Sequence, residues 1–288
     1  MVGKPTPARL DTVVATDENK QTDPGVPGEL RRDRFVGTQD LTRWKSPVGR
    51  FLAGIIERAA ARLGPHAALI LTLACGVLIA VILTAAFAQV YDAVTESDGV
   101  AGLDHPILDA AKGIRSPELN IAVTAYTNLG GTIGMPILGL AATAVLAWRR
   151  RSWTPVILIP GAAAGSLLMT IAGKPLFGRA RPNLTDAIAP YEHSASFPSG
   201  HALNSIVIAG IVAYLIVLRQ QTRRGRILTI ALAAHFALTM GLSRVYLGHH
   251  WFTDVVSAWA LGAAWLALVI TAHRLYLTTR KRRSPFAG

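Results

Sequence analysis

The chain has 288 residues, of which 51% are hydrophobic and 16% are charged, and its mean hydropathy is +0.37. Soluble domains carry about 25% charged residues, so this composition argues against a soluble enzyme. The net charge of +12 does not indicate a nucleic-acid-binding protein, because the basic residues alternate with long apolar runs. The single cysteine, Cys75, lies in an apolar run and excludes an intrachain disulfide framework.

The N-terminal part of the chain contains two segments of different composition. Residues 1–47 are rich in Pro, Gly, Thr and charged residues and have few large apolar side chains. Because such a segment cannot bury a core, we expect a disordered tail. Residues 48–65 predict an amphipathic helix that leads into the membrane domain, with Phe51, Leu52 and Ile55 on one face.

Six stretches without charged residues follow, and each is long enough to form a membrane-spanning helix of about 17–25 residues. The predicted fold is all-α, a six-span transmembrane bundle over residues 66–273 that is followed by a basic tail over 274–288. In the polar connection at 91–124, apolar residues recur at helical spacing, which predicts one or two short interfacial helices. The spans are predicted at 66–90, 126–148, 154–173, 201–218, 227–244 and 252–273.

The distribution of Lys and Arg predicts the orientation of the bundle, because basic residues beside spans stay in the cytoplasm. With six spans both termini share one side, and the segments on that side hold 23 of the 29 basic residues. We therefore predict a multi-pass cell-membrane protein with both termini in the cytoplasm. Four outer cations lie beside span ends, where an anionic ligand would explain them: Lys174, Arg179, Arg181 and Arg244.

Three polar stretches, at 174–182, 198–201 and 243–254, are predicted to meet at the outer face. The first and third supply the cations Lys174, Arg181 and Arg244, and arginine binds phosphate through two parallel hydrogen bonds. The second predicts a helix N-terminus at Ser199 and Gly200, where free N–H groups and the helix dipole favour an anion.

The same stretches contain titratable groups suited to acid–base or nucleophilic chemistry. His201 and His250 titrate near neutral pH. Asp254 follows His250 by four residues, so a helix would place both on one face, and a carboxylate there fixes the imidazole tautomer. His249 is more simply a capping or interfacial residue. The competing interpretation is a metal site formed by His249, His250 and Asp254. The surplus of cations nearby would repel a metal.

These stretches resemble the phosphatidic acid phosphatase type 2 family, whose signature is K-x6-R-P, P-S-G-H and S-R-x5-H-x3-D. The resemblance extends to the predicted membrane domain, whereas residues 1–47 have no counterpart. In the histidine doublet, only the five-residue spacing from Arg244 selects His250 over His249. The matching residues are Lys174, Arg181, Pro182, Pro198, Ser199, Gly200, His201, Ser243, Arg244, His250 and Asp254.

The resemblance implies a mechanism that needs neither a metal nor another cofactor. His250 would attack phosphorus and form a phosphohistidine, with Asp254 orienting its ring. His201 would protonate the leaving oxygen and then activate water. The phosphate oxygens would be held by Lys174, Arg181, Ser199, Gly200 and Arg244.

A phosphate site beside lipid-facing spans predicts a lipid phosphate or diphosphate monoester as substrate and the bilayer as the other partner. The first candidates are undecaprenyl or another polyprenyl diphosphate, and phosphatidylglycerol phosphate. Phosphatidate and lysophosphatidate phosphatases, or a lipid phosphotransferase using the same site, are the alternatives. A vanadium-dependent haloperoxidase is disfavoured by the spans, and an alternating-access transporter by the lack of an internal repeat. No nucleic-acid partner is expected, and the sequence does not indicate an oligomeric state.

Overall fold

The computed structural model describes residues 32–64 and 100–282, together with positions 70, 78, 81 and 82. The rest of the predicted first span and most of the predicted N-terminal tail lie outside the described residues. Within the described ranges, a two-stranded antiparallel hairpin consists of β1 (Phe35–Val36) and β2 (Gln39–Asp40). The α-helices there are α1 (Pro47–Leu63), α2 (Asp104–Gly113), α3 (Pro117–Thr127), α4 (Gly134–Arg150), α5 (Thr154–Phe177), α6 (Gly200–Val217), α7 (Arg223–Tyr246) and α8 (Phe252–Arg282).

The prediction of an all-α transmembrane bundle is confirmed. Four described helices, α5 to α8, are each long and apolar enough to cross a membrane. The segment from α3 to α4 is a fifth candidate span, bent by 53°. The described part of the chain therefore supplies four spans, or five if the bent pair crosses as one.

The prediction of one continuous helix over 126–148 is wrong in its first part. A 3-10 turn at Asn128–Gly130 follows α3, and the chain leaves helical geometry before α4 begins. Gly130 packs so closely against Met240 and His201 that a Cβ atom would overlap Met240. A Cβ on Gly134 would overlap the Asn128 carbonyl. These close approaches require glycine, and they bring the bend next to His201.

Helix α6 lies at the centre of the bundle and packs against α4, α5, α7 and α8. Its side chains Val207, Ile211 and Leu215 are fully buried. Trp265 of α8 is also buried, and its indole Nε1 donates a hydrogen bond to the Ala162 carbonyl at 2.9 Å. Small residues allow these helices to approach, as expected in lipid, where close van der Waals packing drives helix association.

The helix order gives the bundle two ends. At one end α5 passes into α6 and α7 passes into α8, and we call this the motif end because it carries the three polar stretches. Helices α2 and α3 pack there against the end of α7. Arg115, between them, donates to the carbonyls of Tyr246 and Asp186 at 2.9 and 2.8 Å, and the Tyr246 hydroxyl donates to Asn120.

Residues 32–46 pack at the opposite end, which differs from the disordered tail expected over 1–47. Asp33 is fully buried and forms ion pairs with Arg150 and Arg219. The Trp44 indole donates to the Thr278 hydroxyl at 3.1 Å, and Arg274 donates to a carbonyl of the same segment. These polar partners order a segment that has too few apolar residues for a core. Helix α8 also continues to Arg282, into the predicted basic tail at 274–288.

Candidate active site

The three polar stretches converge at the motif end. Lys174 lies on the last turn of α5, and Arg181 lies in the loop that follows. His201 is on the first turn of α6, and Arg244 is on the last turn of α7. One cavity is lined by Lys174, Gly200, His201, Arg244, His249 and His250.

His250 and Asp254 form the centre of this site. Both are buried, and His250 Nδ1 lies 3.5 Å from Asp254 Oδ2. The other ring nitrogen, Nε2, lies 3.3 Å from Arg181 Nη1. The four-residue spacing suggested that His250 and Asp254 share a helix. They do not, because α8 begins only at Phe252. The turn before it contains Gly248 at φ +71°, and the Asp254 carboxylate accepts a hydrogen bond from the Trp251 backbone N–H at 3.0 Å.

Ser196 is a part of the site that the sequence reasoning missed. It is fully buried, and its hydroxyl donates to Asp254 Oδ2 at 2.5 Å while lying 3.5 Å from His250 Nδ1. Asp254 Oδ2 therefore has three neighbours: the imidazole, the Ser196 hydroxyl and the Trp251 amide. In the sequence, the only indication that Ser196 contacts Asp254 is its position two residues before the P-S-G-H stretch.

Glu192, also missed by the sequence reasoning, occupies the space between the predicted phosphate-binding arginines. Arg181 Nη2 donates to Glu192 Oε2 at 3.0 Å, and Arg244 Nη2 forms a short ion pair with Oε1. Burial raises the pKa of Glu192, but attraction to Arg244 and Arg181 outweighs it and lowers the pKa to about 2. A carboxylate held by two guanidinium groups shows that this position binds an anion.

The other cations are also oriented by the loop before α6. Lys174 Nζ donates to the Ser194 hydroxyl at 2.5 Å, and Arg181 Nε donates to the Ser194 carbonyl at 2.7 Å. Arg181 Nη1 donates further to the His249 carbonyl at 2.5 Å. Burial lowers the pKa of Arg181, although the group stays protonated near neutral pH. The three predicted cations thus surround one small volume next to His250.

Ser199 precedes α6 as predicted, but its side chain does not cap the helix. Among the described residues, no partner accepts from or donates to its buried hydroxyl. Its backbone N–H is directed at the Asp254 carbonyl, 3.5 Å away, and so is not free for an anion. The helix N-terminus at Gly200 and His201 remains at the cavity, since both residues line it.

His249 and His250 have different surroundings. His249 Nε2 lies 2.7 Å from the Ile188 carbonyl, to which it donates a hydrogen bond. Burial lowers the pKa of each ring to about 4. For His250, the hydrogen bond that its ring donates to the Asp254 carboxylate acts in the opposite direction. Both imidazoles are therefore neutral near pH 7, and a neutral ring is the nucleophilic form. Within the described residues, no three His, Cys, Asp or Glu side chains are grouped as a metal site requires.

The cavity has a volume of about 830 Å³ and continues from these polar groups along α4 and α5. On α5 its lining extends from Lys174 back to Ile159, a distance of about 22 Å at 1.5 Å per residue. The deeper part is mainly apolar, and we call it the groove. Its lining residues on the two helices include Met135, Gly139, Leu140, Thr143, Ile159, Pro160, Ala163 and Leu167.

Comparison with known proteins assigns the family. A profile of the PAP2 superfamily matches residues 154–276, which contain all three polar stretches. The chain is also 30% identical over 184 residues to phosphatidylglycerophosphatase B of Bacillus subtilis strain 168, covering 64% of this chain and 89% of that relative. This chain belongs to the PAP2 superfamily.

A solved structure agrees with this assignment. The crystal structure of the first transmembrane PAP2 type phosphatidylglycerolphosphate phosphatase from Bacillus subtilis aligns with a TM-score of 0.59 and 27% identity. The alignment covers 72% of this chain and 98% of that one. The predicted family and enzyme class are therefore confirmed. The PAP2 chain is a multi-pass membrane protein and a lipid phosphatase.

Proposed function

We propose that this PAP2 protein hydrolyses the phosphate monoester of a membrane lipid through a phosphohistidine on His250. The observation that carries this proposal is that Glu192, the anion held by Arg181 and Arg244, lines the same cavity as the apolar groove. A lipid phosphate has this shape: a charged head and an apolar body. A small soluble phosphate ester would use the polar end alone and leave the groove empty.

In the first step, His250 Nε2 attacks phosphorus and the bond from phosphorus to the lipid oxygen breaks. His201 donates a proton to that leaving oxygen, which departs as the lipid alcohol. The Asp254 carboxylate accepts the Nδ1–H hydrogen bond and stabilises the charge that develops on the ring. The phosphoryl oxygens displace the Glu192 carboxylate from the arginines, and Lys174 and the α6 N-terminus complete the anion site.

In the second step, the His201 ring, now neutral, accepts a proton from water. The water oxygen forms a bond to phosphorus, and the bond from phosphorus to His250 Nε2 breaks. Inorganic phosphate leaves and His250 returns to its neutral form. Covalent catalysis replaces one difficult displacement with two easier ones. The positions of His201 and His250 on the cavity wall support these proposed roles.

Phosphatidylglycerol phosphate is the first substrate to test, because the similar Bacillus subtilis sequence and the similar Bacillus subtilis crystal structure are both named for that activity. A polyprenyl diphosphate is the second, since the groove is long and mainly apolar. Phosphatidate and lysophosphatidate complete the series. A phosphotransferase would use the same site but hand the phosphoryl group to a lipid alcohol in place of water.

We place the motif end at the outer face and the termini in the cytoplasm. The end opposite the motifs carries the buried pair of Arg150 and Asp33 and the basic run that opens α7. Basic residues at span ends favour the cytoplasmic side. A membrane-impermeant thiol reagent tests this orientation in intact cells, applied to a Cys75→Ser protein carrying one new cysteine at Asp109 or at Gln221.

Phosphate release by detergent-purified protein tests the activity. The four lipids are supplied separately, with EDTA present and with His250→Ala as the control. We expect release that resists EDTA and is lost in the variant. Addition of an acceptor lipid alcohol separates the two enzyme classes: a hydrolase releases the same phosphate, whereas a phosphotransferase makes a new lipid phosphate. Release that persists undiminished in His250→Ala would refute the proposal.

A further inference from the structure

Two charged residues that are not among the predicted catalytic residues lie near the Asp254 carboxylate: Arg179 contacts it directly, and Asp104 contacts Arg179. Arg179 lies in the loop after α5, and Asp104 is the first residue of α2. Arg179 Nη1 forms a short ion pair with Asp254 Oδ1, and its Nη2 donates to Asp104 Oδ2 at 2.7 Å. Neither residue belongs to the K-x6-R-P, P-S-G-H or S-R-x5-H-x3-D positions.

Asp104 also holds the beginning of α8. Its Oδ1 accepts from the Thr253 backbone N–H at 2.8 Å, and its Oδ2 accepts from the Thr253 hydroxyl at 2.7 Å. The Thr253 hydroxyl in turn accepts from Arg179 Nη1 at 2.9 Å. Asp104 therefore caps the helix that carries Asp254, and Arg179 connects the two carboxylates.

The two carboxylate oxygens of Asp254 have different partners. Oδ2 faces His250 Nδ1, the Ser196 hydroxyl and the Trp251 amide, whereas Oδ1 is held by Arg179. Ionisation of a fully buried carboxylate is costly, and a charged partner offsets that cost. Arg179 supplies that charge and fixes the rotation of the carboxylate, which determines whether Oδ2 points at His250.

The guanidinium of Arg179 is itself immobilised. It lies 5.7 Å from the centre of the Trp251 ring, and the Trp251 indole donates to the Ala180 carbonyl at 2.9 Å. Asp104 is 3% exposed and the Arg179 side chain is 16% exposed. The arrangement thus links α2, the loop after α5 and the start of α8 in one network.

We propose that Asp104 and Arg179 are positioning residues that hold the Asp254 carboxylate in line with His250. Helix α2, which precedes the residues matched by the family profile, thereby becomes part of the catalytic apparatus. The inference rests on the proposed role of His250 as nucleophile. Arg179 pairs with Asp254, and Asp104 pairs with Arg179, so we expect both residues to act through Asp254, on turnover and not on substrate binding.

Steady-state kinetics of the purified full-length protein test this inference, with phosphatidylglycerol phosphate and, separately, p-nitrophenyl phosphate as substrates. For Arg179→Gln we expect kcat to fall about 10- to 100-fold, as when outer partners of a functional histidine are lost. KM should stay within about twofold, because the variant removes no contact with substrate. Arg179→Lys keeps the charge and should recover part of kcat.

Asp104→Asn provides a second variant should Arg179→Gln fail to fold, and it should lower kcat without raising KM. Its matched control is Asp109→Asn, on the same helix, since the Asp109 side chain is 70% exposed and does not contact Asp254. The control should match the wild type with both substrates.

The inference is overturned if Arg179→Gln keeps the wild-type kcat, if Arg179→Lys is no better than Arg179→Gln, or if the effect lies in KM alone. An equal loss in Asp109→Asn overturns it as well. Wild-type protein that hydrolyses p-nitrophenyl phosphate but no lipid would refute the proposed lipid substrate and still allow the test. Wild-type protein inactive on both substrates would refute both proposals.

Discussion

The Glu192 carboxylate is paired with Arg244 in the cavity that also contains His250. The substrate phosphate must therefore displace an internal anion before it reaches the nucleophile. We predict that Glu192→Gln lowers KM for the lipid phosphate and strengthens inhibition by orthophosphate, each by up to about tenfold, or about 1.4 kcal/mol. Initial rates against lipid and orthophosphate concentration measure both effects. A higher KM in the variant would mean that Glu192 helps to bind the lipid.

The histidine doublet gives a comparison within one turn of the chain. His250→Ala should reduce turnover by three orders of magnitude or more, as loss of a nucleophile does elsewhere. His249→Ala should retain much of the activity and instead lower the melting temperature, because it removes the hydrogen bond to the Ile188 carbonyl. Phosphate release and thermal unfolding in detergent measure the two effects. The opposite ranking in turnover would identify His249 as the nucleophile.

The buried histidines predict that acid destabilises the fold. The pKa values of His249 and His250 are about 4, below the ordinary value of 6.5. The unfolded chain therefore binds more protons between these values, so the free energy of unfolding falls as pH decreases from 6.5 towards 4. A shift of this size corresponds to about 3 kcal/mol per ring. Between pH 7.5 and pH 5 the melting temperature should fall less in His249→Gln than in the wild type. An equal fall would contradict the conclusion that His249 is buried in its neutral form.

The groove predicts that a substitution in its wall impairs hydrolysis of the lipid but not of a small soluble phosphate ester. Gly139 lines the groove, and a Cβ atom added there has no neighbour within 4 Å, so we expect Gly139→Leu to fill the groove and leave the helices in place. We expect kcat/KM for the lipid to fall about tenfold or more, whereas hydrolysis of p-nitrophenyl phosphate stays unchanged. The matched control is Gly161→Leu, which has open space but lies off the cavity wall. An unchanged kcat/KM for the lipid in Gly139→Leu would mean that the lipid chains lie elsewhere.

The sequence predicted those parts of the molecule that depend on local patterns. Helices α5 to α8 agree with the apolar stretches, because a span is recognised by its own composition. The meeting of His201, Arg244 and His250 followed from the alternation of spans, which places every second connection on one side. The ordered segment before α1, with its hairpin, was not predicted. Its flanking residues Asp33 and Trp44 are held by Arg219 and Thr278, which are far away in the sequence.

The remaining parts of the site depend on contacts between residues far apart in the chain. Glu192 and Ser196 lie in an irregular loop, where a single acid or serine carries no recognisable spacing. The link from Asp104 to Asp254 spans 150 residues and exists only because α2 folds over the start of α8. The bend before α4 lies at the Gly130 and Gly131 pair, where Gly130 closely approaches Met240 and His201, contacts that the sequence does not reveal.

Covalent capture of the phosphoryl group on the protein tests directly whether His250 is the nucleophile. Phosphatidylglycerol phosphate labelled in its terminal phosphate is mixed with purified protein and quenched within one turnover. If His250 is the nucleophile, the wild type and His249→Ala become labelled and His250→Ala does not. The labelled bond should be stable in alkali and labile in acid, as in a phosphoramidate. Label that persists in His250→Ala, or rapid phosphate release without any labelled protein, would contradict a phosphohistidine on His250.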